Sequence, residues 1–174
     1  MSGYLLEIRH EQTESDEQRA YDVIYSNQGI NQRDSLYLWF LDQVAQYGAG
    51  RLLDVSCGQG TFMRMAGAAG FRAIGIDFSA AALERAQQTA PAAGIALANA
   101  QGLPFADNSF DAVTNLGSLE HYFDPPEAVR EMARVLRPGG RAFVWVPNLF
   151  GIFGNITNVL RHGEVHDDGQ PLQR

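Results

Sequence analysis

A single cysteine, Cys57, in 174 residues leaves an intramolecular disulfide without its second thiol. Lysine and arginine form no block anywhere, and the formal net charge is −7. The electrostatic footprint of a protein that grips phosphate backbones is therefore missing, and no nucleic-acid partner is expected. No apolar stretch approaches the roughly 20 residues of a membrane-spanning helix, and the opening "MSGYLLEIRHEQTESDEQ" is too polar for a secretory signal. The expectation is a cytoplasmic protein with no membrane partner. The spacing of His162 and His166 with Asp167 and Asp168 suggests metal ligands, but the stretch reads as an exposed polar tail with no apolar frame around it, so no metal is assigned.

What is present is 45% hydrophobic content, enough for one sizeable core. From Arg51 to Pro147 short branched-apolar runs, "RLLDV", "RAIGID", "GIALANA", "FDAVTNL" and "RAFVWVP", alternate with "TFMRMAGAAG", "SAAALERAQQTA" and "PPEAVREMARVL". Runs with little polar alternation suit strands covered on both faces, so the pattern predicts a doubly wound, mostly parallel α/β sheet. The expected organisation is a helical segment over 1–50 that belongs to the same domain, an α/β core over 51–148 and an irregular or truncated tail over 149–174.

Helix boundaries are punctuated. Asp124 before Pro125, with Glu127 three residues on, reads as an N-cap, a first-turn proline and a capping-box acid. Val129, Met132 and Leu136 follow at helical spacing, and "RPGG" (137–140) ends the helix. Upstream, Leu36, Phe40, Leu41, Val44 and Tyr47 share one face of an amphipathic helix. The earlier "YDVIYS" reads as another helix or a lid.

The stretch "LLDVSCGQGTF" (52–62) is a strand that breaks into a glycine turn before a helix. Such turns hold nucleotide-like ligands at the C-terminal edge of a parallel sheet, because glycine lets the backbone come close and the helix start offers free N–H groups. A plain strand-to-helix turn has the same look. A dinucleotide fingerprint would need a third glycine where Met63 stands, and the second mononucleotide half of a dehydrogenase is missing. A ligand with one nucleoside and no phosphate fits better than a nicotinamide cofactor. The next apolar run ends in Asp77, placed either to accept from both hydroxyls of a ribose or to cap the helix that begins near Ser79.

Over Arg51 to Asn148 the chain resembles the class I S-adenosylmethionine-dependent methyltransferases, near the small-molecule group that includes quinone-biosynthesis enzymes. "LLDVSCGQG", "IGIDFS", "NAQGLPFADNSFDAV", "LGSLEHYFDP" and "EMARVLRPGGRAFVWVPN" carry the likeness, in order. It implies a Rossmann-like sheet, S-adenosylmethionine as cofactor with S-adenosylhomocysteine as product, and a small-molecule methyl acceptor. By the same resemblance, Gly58 and Gly60 lie against the methionine and ribose portions, Asp54 orders the loop and reaches the amino-acid end, and Asp77 takes the ribose hydroxyls. Phe78 packs on the adenine or in the core, and Leu116 and Gly117 offer backbone to the methionine end.

Two departures from the family pattern bear on the site. Asn99, Ala100 and Gln101 replace the usual Asp-Ala-Glu, leaving an amide carbonyl to accept from the adenine amino group. Ser56 replaces the first glycine, which is tolerable unless its φ is positive. Cys57 reads as a small buried residue.

Methyl transfer asks mainly for orientation and exclusion of water. His121 is the candidate general base, with a structural role as the alternative, and Tyr21 and Tyr25 either fold over the cofactor or join the core. The segment "NLGSLEHY" lacks the Asn-Pro-Pro-aromatic signature of enzymes that methylate adenine or glutamine amino groups. The family's last two strands have no counterpart in "LFGIFGNITNVLRHGEVHDDGQPLQR" (149–174), so an edge at strand five is expected, to be covered by a homodimer partner or left on a truncated chain. The functional expectation is an S-adenosylmethionine-dependent methyltransferase or, alternatively, a cofactor-binding protein without turnover.

Overall fold

The computed structural model describes residues 13–30 and 32–146. His162, His166, Asp167, Asp168 and the "GIFGNI" segment lie outside them.

Two helices, α1 (Glu14–Asn27) and α2 (Asp34–Ala45), precede an alternation of strand and helix: β1 (Arg51–Val55), α3 (Thr61–Ala68), β2 (Arg72–Asp77), α4 (Ala80–Thr89), β3 (Gly94–Leu97), β4 (Phe110–Leu116), α5 (Pro125–Val135) and β5 (Leu136–Trp145). The strands form one sheet in the order β3-β2-β1-β4-β5, and every pairing is parallel. The doubly wound α/β expectation holds. Sheet order reverses on either side of β1, which places a crevice at the C-terminal ends of β1 and β4, where open α/β sheets take their ligands.

Both faces of the sheet are covered, as uninterrupted apolar strands require. On one face Leu52, Ala73 and Ala112 pack with Phe40 and Val44 of α2, Phe62 and Met63 of α3, and Leu83 and Ala86 of α4. On the other, Leu53, Val55, Ile76 and Val113 pack with Ala128, Met132 and Val135 of α5. Each fully buried Leu, Val or Phe here contributes about 1.5–3 kcal/mol relative to an exposed side chain.

Several sequence expectations need correction. The buried face of α5 is Ala128, Met132 and Val135, whereas Val129 is 46% exposed and Leu136 already belongs to β5. Alanine at the closest approach to the sheet conceals the true face from a pattern of large apolar residues. Asp124 does cap α5, accepting from Glu127 N at 2.9 Å, but the Glu127 carboxylate pairs with Arg130 instead of closing a capping box. Tyr47 falls beyond α2 and is 57% exposed, with the Arg141 guanidinium 3.9 Å above its ring.

Two strand boundaries also move. The β3 run was expected to continue to Ala100, yet the strand stops at Leu97 because β2, its partner, ends at Asp77 opposite it. β5 begins five residues before Arg141: Leu136 pairs with Phe110, the "RPGG" segment bulges, and pairing resumes at Arg141 with Ala112. Pro138 has no N–H to give the ladder, so the bulge follows from its chemistry. Among the described residues β5 pairs with β4 alone, leaving its outer edge open.

Candidate functional site

Where β1 ends, three of five residues take left-handed backbone: Ser56 (φ +59), Gly58 (φ +52) and Gly60 (φ +79). Cys57 N donates to Ile76 O at 2.8 Å and Gly60 N to Cys57 O at 3.0 Å, fixing the turn against β2. The two glycines are needed for different reasons. A β-carbon on Gly60 would stand 3.1 Å from the Ala86 backbone, so this glycine lets α3 approach α4. A β-carbon on Gly58 would stand 2.6 Å from the Tyr25 hydroxyl, so this one admits a side chain from α1. Ser56 is a correction: the serine does occupy positive φ, at the cost a β-carbon imposes there.

Asp77 is the buried acid of the site, 3% exposed at the end of β2. Its Oδ2 accepts from Gly58 N and its Oδ1 from Ser79 N, each at 2.9 Å. Burial pushes the carboxyl above its ordinary range, and the Ser79, Gly58 and Phe78 N–H groups pull it back. Ser79 itself caps α4, accepting from Ala82 N at 3.1 Å. Asp77 thus steadies the loop and the helix start while its carboxylate lines the open cleft.

That cleft encloses about 610 Å³, counting its open mouth. Asp77, Phe78 and the chain from Ala98 to Gln101 form one wall. Asn99 Oδ1 accepts from Gln101 N at 2.9 Å, which shapes the turn after β3, and Gln101 Oε1 accepts from Asp124 N at 3.3 Å. Opposite, beyond β4, a single 3-10 turn (Leu119–His121) brings His121 to the cleft with Ser118, Tyr122 and Phe123. His121 Nε2 lies 3.7 Å from Glu120 Oε1.

Helix α1 roofs the cleft with Glu17, Tyr21 and Tyr25. Gln18 Nε2 donates to Phe78 O at 2.6 Å, and Asp22 accepts from Ser79 Oγ and from Ala81 N, which clamps α1 onto the start of α4. Tyr21 meets Phe78 edge-on with centroids 5.2 Å apart. Tyr25 is buried, and burial followed by the nearby Asp77 charge raises its phenol well above the ordinary range.

The expected residues therefore divide. Tyr21, Tyr25, Ser56, Asp77, Phe78, Asn99, Ala100, Gln101 and His121 converge on the cleft. Asp54, Gly58, Gly60, Leu116 and Gly117 do not line it. Asp54 is buried behind the loop, accepting from Thr114 Oγ1 at 2.7 Å, and burial pushes its carboxyl up to about 7. Gly117 N donates to Trp145 O at 2.8 Å, joining β4 to β5. Cys57 is buried, and burial raises its thiol, in keeping with a packing role. Sequence reasoning missed Glu17, Ala98, Ser118, Tyr122 and Phe123; the one signal for the last two was an aromatic doublet directly after His121.

Residues 53–144 match the model of a methyltransferase domain. The chain belongs to the class I S-adenosylmethionine-dependent methyltransferases. A demethylmenaquinone methyltransferase of Renibacterium salmoninarum is 36% identical over 124 residues, 71% of this chain and 52% of that protein. A 27-O-demethylrifamycin SV methyltransferase of Amycolatopsis mediterranei is 39% identical over 125 residues, 66% of this chain and 46% of that protein. Among solved structures, the [4+2]-cyclase SpnF superposes with a TM-score of 0.65 at 26% identity, covering 76% of this chain and 60% of that one. This methyltransferase chain spans about half the length of the curated relatives it matches.

The family's methyl donor is S-adenosylmethionine, and the chemistry of the cleft suits an adenosyl ligand. A carboxylate beside a half-buried phenyl ring and an amide-bearing turn offers acceptors for hydroxyls and an apolar face for a base. Met63, at the position of a third dinucleotide-loop glycine, is fully buried beneath Gly60 and Gly75. Among the described residues no group of three His, Cys, Asp or Glu could hold a metal ion, and no helix is long and apolar enough to cross a membrane.

Proposed function

We propose that this chain binds S-adenosylmethionine in the cleft and transfers its methyl group to a small-molecule acceptor. The observation that carries the reading is Asp77: a buried carboxylate at the end of β2, tied by backbone N–H groups to the glycine loop and to α4, and still facing the cleft. In this reading Asp77 accepts from the ribose hydroxyls, Phe78 and Ala100 flank the adenine, and Asn99 or Gln101 accepts from the adenine amino group. Ser56, Gly58, Gly60, Leu116 and Gly117 supply backbone around the methionine end, with Asp54 supporting the loop from behind. The bound sulfonium supplies an activated methyl group that leaves by in-line displacement. The protein's part is to orient and to exclude water. Tyr21 and Tyr25 close the roof, and His121 takes the proton from an acceptor oxygen where one must be lost.

Quinone and rifamycin names among the relatives support a small-molecule acceptor. On the edge of β5 that is unpaired among the described residues, where Val144 is exposed, we place a second copy of the chain as a homodimer. A second reading, cofactor binding without methyl transfer, draws on Tyr25. Its hydroxyl stands close to Gly58 and so takes up space beside the loop that the first reading gives to the methionine end. The superposing cyclase supports it too, as a neighbour of this fold with a different named activity.

Titration calorimetry with S-adenosylmethionine, S-adenosylhomocysteine and NAD tests the shared core of both readings. The first two bind and NAD gives no heat; absence of adenosyl-ligand binding overturns the assignment. Methyl-donor consumption with a panel of phenols, quinone precursors, amines and carboxylates then separates enzyme from binder.

A further inference from the structure

Ser56 is a residue with a β-carbon in a backbone conformation that favours glycine, at the lip of the cleft. Its side chain is not idle. Ser56 Oγ lies 2.7 Å from the Tyr122 hydroxyl, a partner 66 positions away beyond β4. Tyr122 Oη in turn accepts from Asn115 Nδ2 at 2.7 Å, and the same amide donates to Val55 O at 3.0 Å. A carbonyl partner fixes the orientation of that amide, so Asn115 spends both N–H groups on the end of β1 and on Tyr122. Tyr122 then has its own proton to give to Ser56.

This network is held at a cost. Asn115 is fully buried, and its Oδ1 has no hydrogen-bond partner among the described residues. Buried unsatisfied acceptors are rare in folded proteins and call for a reason. The chain from Asn115 through Tyr122 to Ser56 ties the last residue of β1 and the first residue of the glycine loop to the end of β4. Tyr122 is half-buried, and burial raises its phenol, so it stays a neutral hydroxyl able to share a hydrogen bond with Ser56.

We propose that Tyr122 is a positioning residue that latches Ser56 in the left-handed turn and so keeps the loop in its cofactor-competent form. The inference rests on the cleft being the S-adenosylmethionine site. If binding requires the latched loop, weakening the latch lowers the competent fraction and raises the apparent Kd in proportion. Glycine at position 56 adopts the turn without help, so Ser56→Gly makes Tyr122 dispensable. That rescue distinguishes a latch from a tyrosine that touches the ligand or merely fills the core.

The test is a double-mutant cycle of Tyr122→Phe and Ser56→Gly, read by S-adenosylhomocysteine affinity and by amide hydrogen exchange of residues 56–60 without ligand. Tyr122→Phe should weaken binding by roughly five- to tenfold and speed exchange in the loop, whereas the double variant should match Ser56→Gly within about twofold. Ser56→Ala keeps the strain and removes the hydroxyl, so it should reproduce the Tyr122→Phe loss if that variant folds poorly. An equal effect of Tyr122→Phe in both backgrounds, or none in either, overturns the latch. Wild-type protein that binds no S-adenosylhomocysteine yet shows the predicted exchange pattern overturns the reading of the cleft and upholds the latch.

Discussion

The hydroxyl of Tyr25 lies over the backbone of Gly58, so near that a β-carbon there would stand 2.6 Å from it. Helix α1 and the β1–α3 loop are thus fitted to each other, and the fit has two separable causes. One is the positive φ of Gly58 and the other is the space its missing side chain leaves.

Gly58→Ala should therefore lose on both counts. The left-handed backbone alone costs about 1–2 kcal/mol for a residue with a β-carbon, and contact with Tyr25 adds to it. Thermal melting should show a drop of several degrees, on the order of 2–4 °C per kcal/mol for a chain of this size. Adding Tyr25→Phe should return the part due to contact. A double variant no more stable than Gly58→Ala would show that strain alone is at work.

Asp54 makes a pH-dependent prediction. Its carboxyl is pushed from 3.8 up to about 7 by burial, so the native state holds a proton there that the unfolded state has lost. The stability this contributes is full below pH 3.8 and is lost as pH rises through about 7. Asn in its place stays neutral and can still accept from Thr114 Oγ1. Asp54→Asn should then gain melting temperature relative to wild type at pH 8 and gain less at pH 5. The nearby Asp77 charge pushes the Asp54 carboxyl in the same direction as burial does. A gap that does not change with pH would contradict the shifted carboxyl.

Much of this architecture could be read from the sequence, and what could not has identifiable causes. The runs ending at Asp54–Val55 and at Asp77 announced themselves because both sheet faces are covered and the runs show little polar alternation. Asp124 announced the start of α5 because capping is local chemistry. Tyr122 was invisible as a site residue: its partners Ser56 and Asn115 sit at the ends of two different strands, and no spacing rule joins them. Tyr25 over Gly58 is likewise a contact between helix and loop that only the packed fold creates. The sidedness of α5 was misread because Ala128, not Val129, meets the sheet.

Arg134 holds the segment that follows the cleft wall. Its guanidinium donates to Leu103 O at 3.0 Å and Phe105 O at 2.8 Å while pairing with Glu131 and Asp107. At 31% side-chain exposure the ion pairs are partly screened by solvent. Arg134→Ala should cost about 1–2 kcal/mol, mainly through Phe105 O, since Leu103 O keeps its bond from Phe105 N at 2.8 Å. Arg134→Lys should recover little, because an ammonium cannot reproduce the planar fork. Hydrogen exchange at residues 103–107 reports it: faster exchange is expected in both variants, and unchanged exchange would refute the anchor.

His121 borders the cleft from the turn after β4. If it accepts a proton from an acceptor hydroxyl, His121→Ala should lower kcat by about 10²-fold or more with phenolic acceptors and leave S-adenosylhomocysteine affinity within about twofold. Parallel losses in kcat and cofactor affinity would assign it to the cofactor instead.

The central claim is that Asp77 binds an adenosyl ligand through its ribose. Calorimetric titration of S-adenosylhomocysteine into wild type and Asp77→Asn tests it most directly, with melting curves to confirm that both are folded. The account predicts binding by the wild type and a loss of about 1.5–3 kcal/mol in the variant, the range for hydrogen bonds to a charged group. No binding by the wild type, or equal affinity in the two proteins, would contradict it.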